Sequence, residues 1–74
     1  MRIKIDLESD ALYFRISEEP IEESEEVNSG LIVDYDASGK VVGIEILGVK
    51  EKFKMEDLTG LKLEMPTVIN TAET

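Results

Sequence analysis

Apolar and polar residues alternate along several short stretches of the chain, and this two-residue period is typical of β-strands with one buried face. The clearest stretch is residues 30–47, where two β-branched runs flank the polar segment DASG at residues 36–39. Asp and Ser side chains can bond nearby backbone amides there, and Gly39 can adopt a positive φ. We therefore predict a β-hairpin with a tight turn, and with Val33 and Ile44 on its buried face.

The same period predicts strands near both ends of the chain. Ile3 and Ile5 alternate with charged residues, and residues 11–16 form a second run with Leu12 and Phe14 on one side. Near the C-terminus, residues 61–65 alternate in the same way until a proline, which cannot donate to a sheet ladder. These stretches are predicted to add two strands before the hairpin and one after it.

Residues 49–58 fit both a helical and a strand period. They contain good helix formers and almost no β-branched residues, so we predict one short helix within this stretch. The predicted fold is an α+β domain over residues 1–66, with an antiparallel sheet of four or five strands in meander-like hairpins and the C-terminal helix on one face. Residues 67–74 are predicted to be a flexible tail. The predicted core is Ile3, Ile5, Leu12, Phe14, Val33, Ile44, Ile46, Phe53 and Leu58.

The amino-acid composition argues against several kinds of functional site. The 74-residue chain contains no cysteine and no histidine, so it forms no disulfide and lacks the side chains that serve most often as proton shuttles and metal ligands. Its five glycines are scattered, and none opens a phosphate-binding loop. A sheet of this size also offers no evident cleft for a pair of catalytic carboxylates. We therefore predict no enzymatic activity, no catalytic residue and no cofactor.

The net charge of the chain constrains its partners. There are 17 acidic and 8 basic residues, a formal net charge of −9. Nucleic acids and anionic membrane surfaces attract clustered Lys and Arg, so neither is a predicted partner. No apolar run approaches the roughly 20 residues of a membrane span, and the N-terminus lacks a signal-peptide core, so a cytoplasmic location is expected. A basic protein is the partner that this charge favours.

The acidic residues concentrate before and within the hairpin. Residues 16–39 contain eight acidic and no basic side chains. We predict a charged loop over residues 17–29, and the alternatives are a solvated segment that only confers solubility and a short edge strand around residues 25–27. Exposed strand edges also make a homodimer through sheet pairing an expectation. The candidate partner-binding residues are Glu22, Glu23, Glu25 and Glu26.

The hairpin also contains a calcium-loop pattern. The residues that fit its spacing are Asp34, Asp36, Ser38, Gly39 and Glu45. A calcium loop of this kind needs helices on both sides, whereas the flanking residues here have strand periodicity. In an extended strand Glu45 would lie several residues beyond the turn, too far to coordinate beside Asp34 unless the hairpin folds over. We therefore predict a turn that needs no metal, with calcium binding as the less favoured alternative.

Several segments together resemble a known family. DALYFRIS, ESEEV, the hairpin sequence GLIVDYDASGKVVGIEIL and the later MEDL are similar to the YuzE-like domain of unknown function, over about residues 3–65. That family has no established activity or catalytic residues. Its members are often found beside small, basic, ribonuclease-like toxins, so the resemblance implies an antitoxin-like role. We predict a protein-protein interaction module, and a homo-oligomeric structural protein without another partner is the alternative.

Overall fold

The computed structural model describes residues 1–66, which form a five-stranded antiparallel sheet followed by two short helices. The strands are β1 (Arg2–Asp6), β2 (Ala11–Arg15), β3 (Glu23–Asn28), β4 (Leu31–Tyr35) and β5 (Val41–Leu47). The helices are α1 (Val49–Lys52) and α2 (Met55–Thr59). The predicted α+β class with an antiparallel sheet is confirmed. Within these residues no helix is long and apolar enough to cross a membrane.

The sheet combines two hairpin units in the order β1-β2-β5-β4-β3. β1 and β2 form the first unit, and β3, β4 and β5 follow one another as a meander. The link between the units departs from the predicted meander order, because β2 pairs with β5 and not with β3. This pairing places Phe14 opposite Ile44, whereas the glutamate-rich β3 would offer it no comparable apolar neighbour.

The connection between β4 and β5 is the predicted tight turn. The Asp36 carboxylate accepts hydrogen bonds from the Ser38 N–H (2.9 Å), the Ser38 hydroxyl (2.7 Å) and the Lys40 N–H (2.9 Å). These bonds, the Ser38 hydroxyl first, hold the pKa of Asp36 below its usual value. Gly39 has a φ of 87°, a left-handed value that glycine adopts without a Cβ clash.

A bulge next to this turn aligns the apolar runs of the hairpin. One extra residue in β5, Val42, shifts the register between Tyr35 and Asp34. Without the bulge, Asp34 would lie opposite Val42, and the apolar sides of the two strands would face opposite ways. With it, Val33 pairs with Ile44, which is the apolar pair predicted from the sequence.

The predicted single helix is wrong, because the segment forms two short helices. Phe53 and Lys54 between them are extended, with φ values of −132° and −81°. The first helix receives its N-terminal cap from the turn between β1 and β2. There the Asp10 carboxylate accepts a hydrogen bond from the Lys50 N–H (2.8 Å), and its carbonyl accepts one from the Gly48 N–H (2.9 Å). A contact from a distant part of the chain therefore sets the start of α1.

The predicted final strand is also wrong, because residues 61–65 have no regular secondary structure. Leu61 and Leu63 nevertheless line a cavity together with Ile3 and Phe14. Alternation requires only that every second side chain contacts an apolar surface, and an extended segment can do so without joining a ladder. The predicted flexible tail, residues 67–74, lies outside the described residues.

The register assigns the strand residues to two faces of the sheet, because residues paired across neighbouring strands share a face. The residues that define the apolar face are Ile3, Ile5, Leu12, Phe14, Leu31, Val33, Ile44 and Ile46. The residues that define the polar face are Arg2, Lys4, Tyr13, Arg15, Ser24, Glu26, Ile32, Asp34, Gly43 and Glu45.

The buried core is smaller than predicted. In residues 1–66 the buried apolar residues are Ala11, Val42 and Val49. Ile3, Ile5 and Phe53 are instead exposed to 42%, 37% and 37%, and the other predicted core residues are half-buried. A chain of this length has a large surface relative to its volume, so two short helices and an extended segment leave much of the apolar face uncovered.

Candidate functional site

The four glutamates predicted to bind a partner lie at one edge of the sheet. Glu23, Glu25 and Glu26 belong to β3, and Glu22 precedes it and donates its N–H to the Tyr35 carbonyl (2.7 Å). Part of the predicted charged loop is therefore an edge strand, which was the alternative expectation for residues 25–27. Within residues 1–66, β3 pairs with β4 alone, and all six of its residues are exposed.

This strand separates the glutamates between the two faces of the sheet. Glu23 and Glu25 lie on the apolar side. Glu26 lies on the polar side, opposite Ile32. The Tyr35 hydroxyl donates a hydrogen bond of 3.3 Å to Glu25, and desolvation together with this bond raises the pKa of Tyr35. The β3 edge therefore carries negative charge on both faces of the sheet, and the glutamates do not form one acidic loop.

The hairpin divides the residues of the calcium-loop pattern. Asp36 and Ser38 bond to each other and to the backbone of the turn, while Asp34 and Glu45 lie together on the polar face. Glu45 lies near Asp34, which is the exception that the sequence prediction allowed, because the pairing of β5 with β4 returns the chain alongside itself. In residues 1–66 no group of three or more acidic side chains is placed to hold a metal ion.

Asp34 and Glu45 form a pair of neighbouring carboxyl groups on the polar face. Asp34 is 3% exposed, and the Ser24 hydroxyl donates a hydrogen bond of 2.6 Å to it. Glu45 lies two positions beyond Gly43, the residue opposite Asp34, so the two carboxyl groups are diagonal neighbours within reach of each other. A hydrogen bond from the protonated Glu45 to Asp34, followed by burial and charge repulsion, raises the pKa of Glu45 to about 7. Near neutral pH Glu45 therefore still carries its proton in a fraction of the molecules.

Two cross-strand rows on the polar face run from this acidic pair to basic residues. The first row, from β3 to β1, is Ser24, Asp34, Gly43, Arg15 and Arg2. The second row is Glu26, Ile32, Glu45, Tyr13 and Lys4. Acidic side chains therefore occupy β4 and β5 at the centre of the sheet, and cationic side chains occupy β1 and β2.

A cavity of about 340 Å³ lies between these acidic and basic groups. Its charged and phenolic lining consists of Arg2, Lys4, Tyr13, Arg15, Asp34 and Glu45. The expectation that the sheet has no cleft is therefore wrong. Gly43 has no side chain between Asp34 and Arg15 in the first row, and the Asp34 carboxylate lies close against it. The arrangement is suited to binding a charged small molecule.

Sequence reasoning missed the grouping of the cations with the carboxyl pair. Alternation places Arg2 and Lys4 on one side of β1, and Arg15 on the corresponding side of β2. The glycine between two apolar residues of β5 was a further signal, since glycine inside a strand often marks a close approach or a gap. The pairing of β2 with β5, which unites these features, leaves no local pattern.

Comparison with known proteins identifies a family. A family described as Protein of unknown function (DUF2283) matches residues 2–50, which include the whole sheet and both of the sites above. No curated protein and no solved structure matches the chain. The match covers well over half of the 74 residues and confirms the predicted membership of an uncharacterised family. The chain belongs to the family Protein of unknown function (DUF2283).

Proposed function

We propose that the protein is a protein-binding module that docks a small basic protein on its apolar face, next to the glutamates of β3. The observation that carries this proposal is the incomplete cover of that face. Ile3 and Ile5 are 42% and 37% exposed, and the other apolar residues of the face are only half-buried. Contiguous apolar surface of this kind commonly marks a site of protein association. The proposal includes no catalysis.

Charge complementarity favours a basic partner over a second copy. The chain has a net charge of −9, and Glu23 and Glu25 border the apolar face at β3. A basic protein would be attracted over a long range and oriented by these charges. Two copies of the chain would repel each other at low ionic strength, which disfavours a homodimer.

Docking then has two stages. The glutamates Glu22, Glu23, Glu25 and Glu26 accelerate the encounter, and burial of the apolar face holds the complex. The free edge of β3 also allows a partner to add a strand to the sheet. The resemblance to the YuzE-like domain implies that a ribonuclease-like toxin is the most concrete partner, which would make the protein an antitoxin-like module.

The test combines co-purification with association kinetics. The chain is expressed with a tag from its native locus, the co-purifying protein is identified, and both proteins are purified. Replacing Glu22, Glu23, Glu25 and Glu26 by Gln should slow association about tenfold at low salt and change dissociation much less. The difference should shrink at high salt, because screening weakens long-range steering.

The matched control removes four exposed acidic charges elsewhere. The substitutions are Glu8→Gln, Glu51→Gln, Glu56→Gln and Asp57→Asn. This variant should associate faster than the β3 variant. Recovery of the chain alone would reject a heterologous partner and favour the homo-oligomer. An acidic partner, or equal slowing by both variants, would reject steering by β3.

A further inference from the structure

The cavity on the polar face has a composition unlike that of the rest of the chain. The protein carries 17 acidic and 8 basic residues, yet both of its arginines and Lys4 line this one cavity of about 340 Å³. Asp34 and Glu45 line it as well. Its volume falls at the small end of the range for ligand pockets, about 300–1,000 Å³. The cavity thus joins a positive pole to an acidic pair.

Gly43 gives room for the Asp34 carboxylate, which lines one end of this cavity. A Cβ at this position would lie 3.1 Å from the Asp34 Oδ2 atom and 3.4 Å from the Phe14 carbonyl oxygen. Asp34 and Arg15 pair with Gly43 from opposite sides, so they are separated by two strand spacings, or about 9–10 Å between backbones. A ligand that reaches from one group to the other therefore needs a short chain between its charged ends.

The cationic side chains differ in how firmly they are held. Arg2 pairs with the exposed Glu18 at 2.9 Å, and Arg15 donates a hydrogen bond of 2.7 Å to the Ser17 carbonyl. Lys4 forms no ion pair within residues 1–66. Lys4 can therefore turn toward an anionic group without breaking an existing pair, and Arg15 is already fixed in position beside it.

We propose that this cavity binds a small molecule with an ammonium group at one end and a carboxylate at the other, an ω-amino acid. The ammonium group lies against Asp34 and Glu45, and the carboxylate lies against Lys4 and Arg15. Each end then meets groups of opposite charge, and charge-assisted hydrogen bonds of this kind are the stronger ones. The site is on the opposite face from the proposed protein-docking surface, so this inference does not depend on that function.

Binding exchanges one cation for another at the carboxyl pair. The ammonium group replaces the proton of Glu45, and that proton passes to solvent. An aliphatic ammonium keeps its own proton well above neutral pH. The other ionisable groups that line the cavity are Arg2, Lys4, Tyr13 and Arg15. Affinity should therefore increase as the pH rises through the range in which Glu45 ionises.

The test is a titration followed by heteronuclear NMR, with three probes of similar size. γ-Aminobutyrate should shift the backbone amides of Asp34, Gly43 and Glu45 with a saturable, millimolar or tighter Kd. Butyrate and butylamine each lack one charged end and should bind at least about tenfold more weakly. Glycine holds both charges on one carbon, and it should also bind more weakly because it cannot reach both poles.

Variants of single residues complete the experiment. Glu45→Gln keeps the side-chain size but cannot ionise, so it should weaken γ-aminobutyrate binding at least about tenfold and abolish its pH dependence. Lys4→Gln should weaken it through the carboxylate end. Glu8→Gln, an exposed acid in the turn between β1 and β2, should bind as the wild type does. Absence of saturable shifts in the wild type, or equal affinity for butyrate or butylamine, would overturn the proposal, and stronger binding of glycine would overturn the inferred spacing.

Discussion

The two faces of the sheet use the same five strands, but different forces act on them. On the apolar face, side chains such as Phe14 and Ile44 contact one another without directional requirements, and their contribution grows with the area removed from water. On the polar face, the contribution of Asp34 depends on a 2.6 Å hydrogen bond from Ser24 and a hydrogen bond from the protonated Glu45. The free energy of unfolding should therefore fall when side-chain volume is removed from the apolar face. It should depend on pH through the carboxyl groups of the polar face.

Both faces are also incomplete, in different ways. Within residues 1–66 the apolar face is only partly covered over β1, where Ile3 and Ile5 are exposed. The polar face contains a cavity among the charged side chains of β1, β2, β4 and β5. A broad apolar surface suits a macromolecule, whereas a small charged cavity suits a small molecule. This difference is the reason for assigning separate ligands to the two faces.

The largest expected effect comes from truncating the middle of the apolar face. Phe14 lies between Ile3 and Ile44 in one cross-strand row and is half-buried. Phe14→Ala should lower the free energy of unfolding by about 2–3 kcal/mol, somewhat less than for a fully buried Phe. Denaturant unfolding measures this change.

The matched control for this prediction is Ile3→Ala, in the same row but 42% exposed. It should cost about 1 kcal/mol or less, because little of its surface leaves water on folding. If both substitutions cost the same, and unfolding depends on protein concentration, the apolar face is covered by a second copy in solution.

An intermediate effect is expected from the carboxyl pair of the polar face. Folding raises the pKa of Glu45 from 4.5 to about 7. The folded state therefore holds the proton more tightly, so this contribution to stability is fully present below the unfolded pKa and is lost as the pH rises through the folded one. Between about pH 5 and about pH 8, the free energy of unfolding should fall by about 1–2 kcal/mol, after allowance for solvent screening.

Urea unfolding at a series of pH values tests this prediction. Glu45→Gln should remove the fall, while Glu8→Gln should keep it. Asp6, Glu18 and Asp36 have lowered pKa values, so their contributions are lost only as the pH falls below this window. If the free energy of unfolding of the wild type does not decrease across this window, folding does not raise the pKa of Glu45.

The smallest effect concerns the margin of β3, where the two faces meet. Glu25 lies on the apolar side beside the Tyr35 hydroxyl, and Glu26 lies on the polar side. Glu25→Gln removes a negative charge and weakens a bond that both raise the pKa of Tyr35, so this pKa should move toward its ordinary value of about 10. It should stay above that value, because desolvation is the largest cause of the shift.

Absorbance titration in a Tyr13→Phe background isolates the Tyr35 hydroxyl. Glu26→Gln, the adjacent substitution on the other face, should leave the pKa of Tyr35 unchanged. Equal shifts from Glu25→Gln and Glu26→Gln would show that β3 does not separate the two glutamates, and the assignment of its residues to opposite faces would then be wrong.

Local patterns in the sequence determined the hairpins and the character of each face. The alternation in residues 30–47 and the DASG turn predicted β4, β5 and the left-handed Gly39, because these features depend on residues that are close in the chain. The bulge at Val42 could also have been predicted from the sequence. The turn pairs Tyr35 with Val41, while alternation requires Val33 and Ile44 on one face, and only one extra residue satisfies both conditions.

Tertiary structure alone decided how these local units combine. Residues 49–58 supported one helix on propensity, yet the chain breaks them at Phe53 and starts α1 with a cap from Asp10, some forty positions away. Similarly, the pairing of β2 with β5 brings Arg15 and Lys4 to the cavity beside Asp34 and Glu45. Such contacts depend on which surfaces are left free after the hairpins form, and no period along the chain encodes that choice.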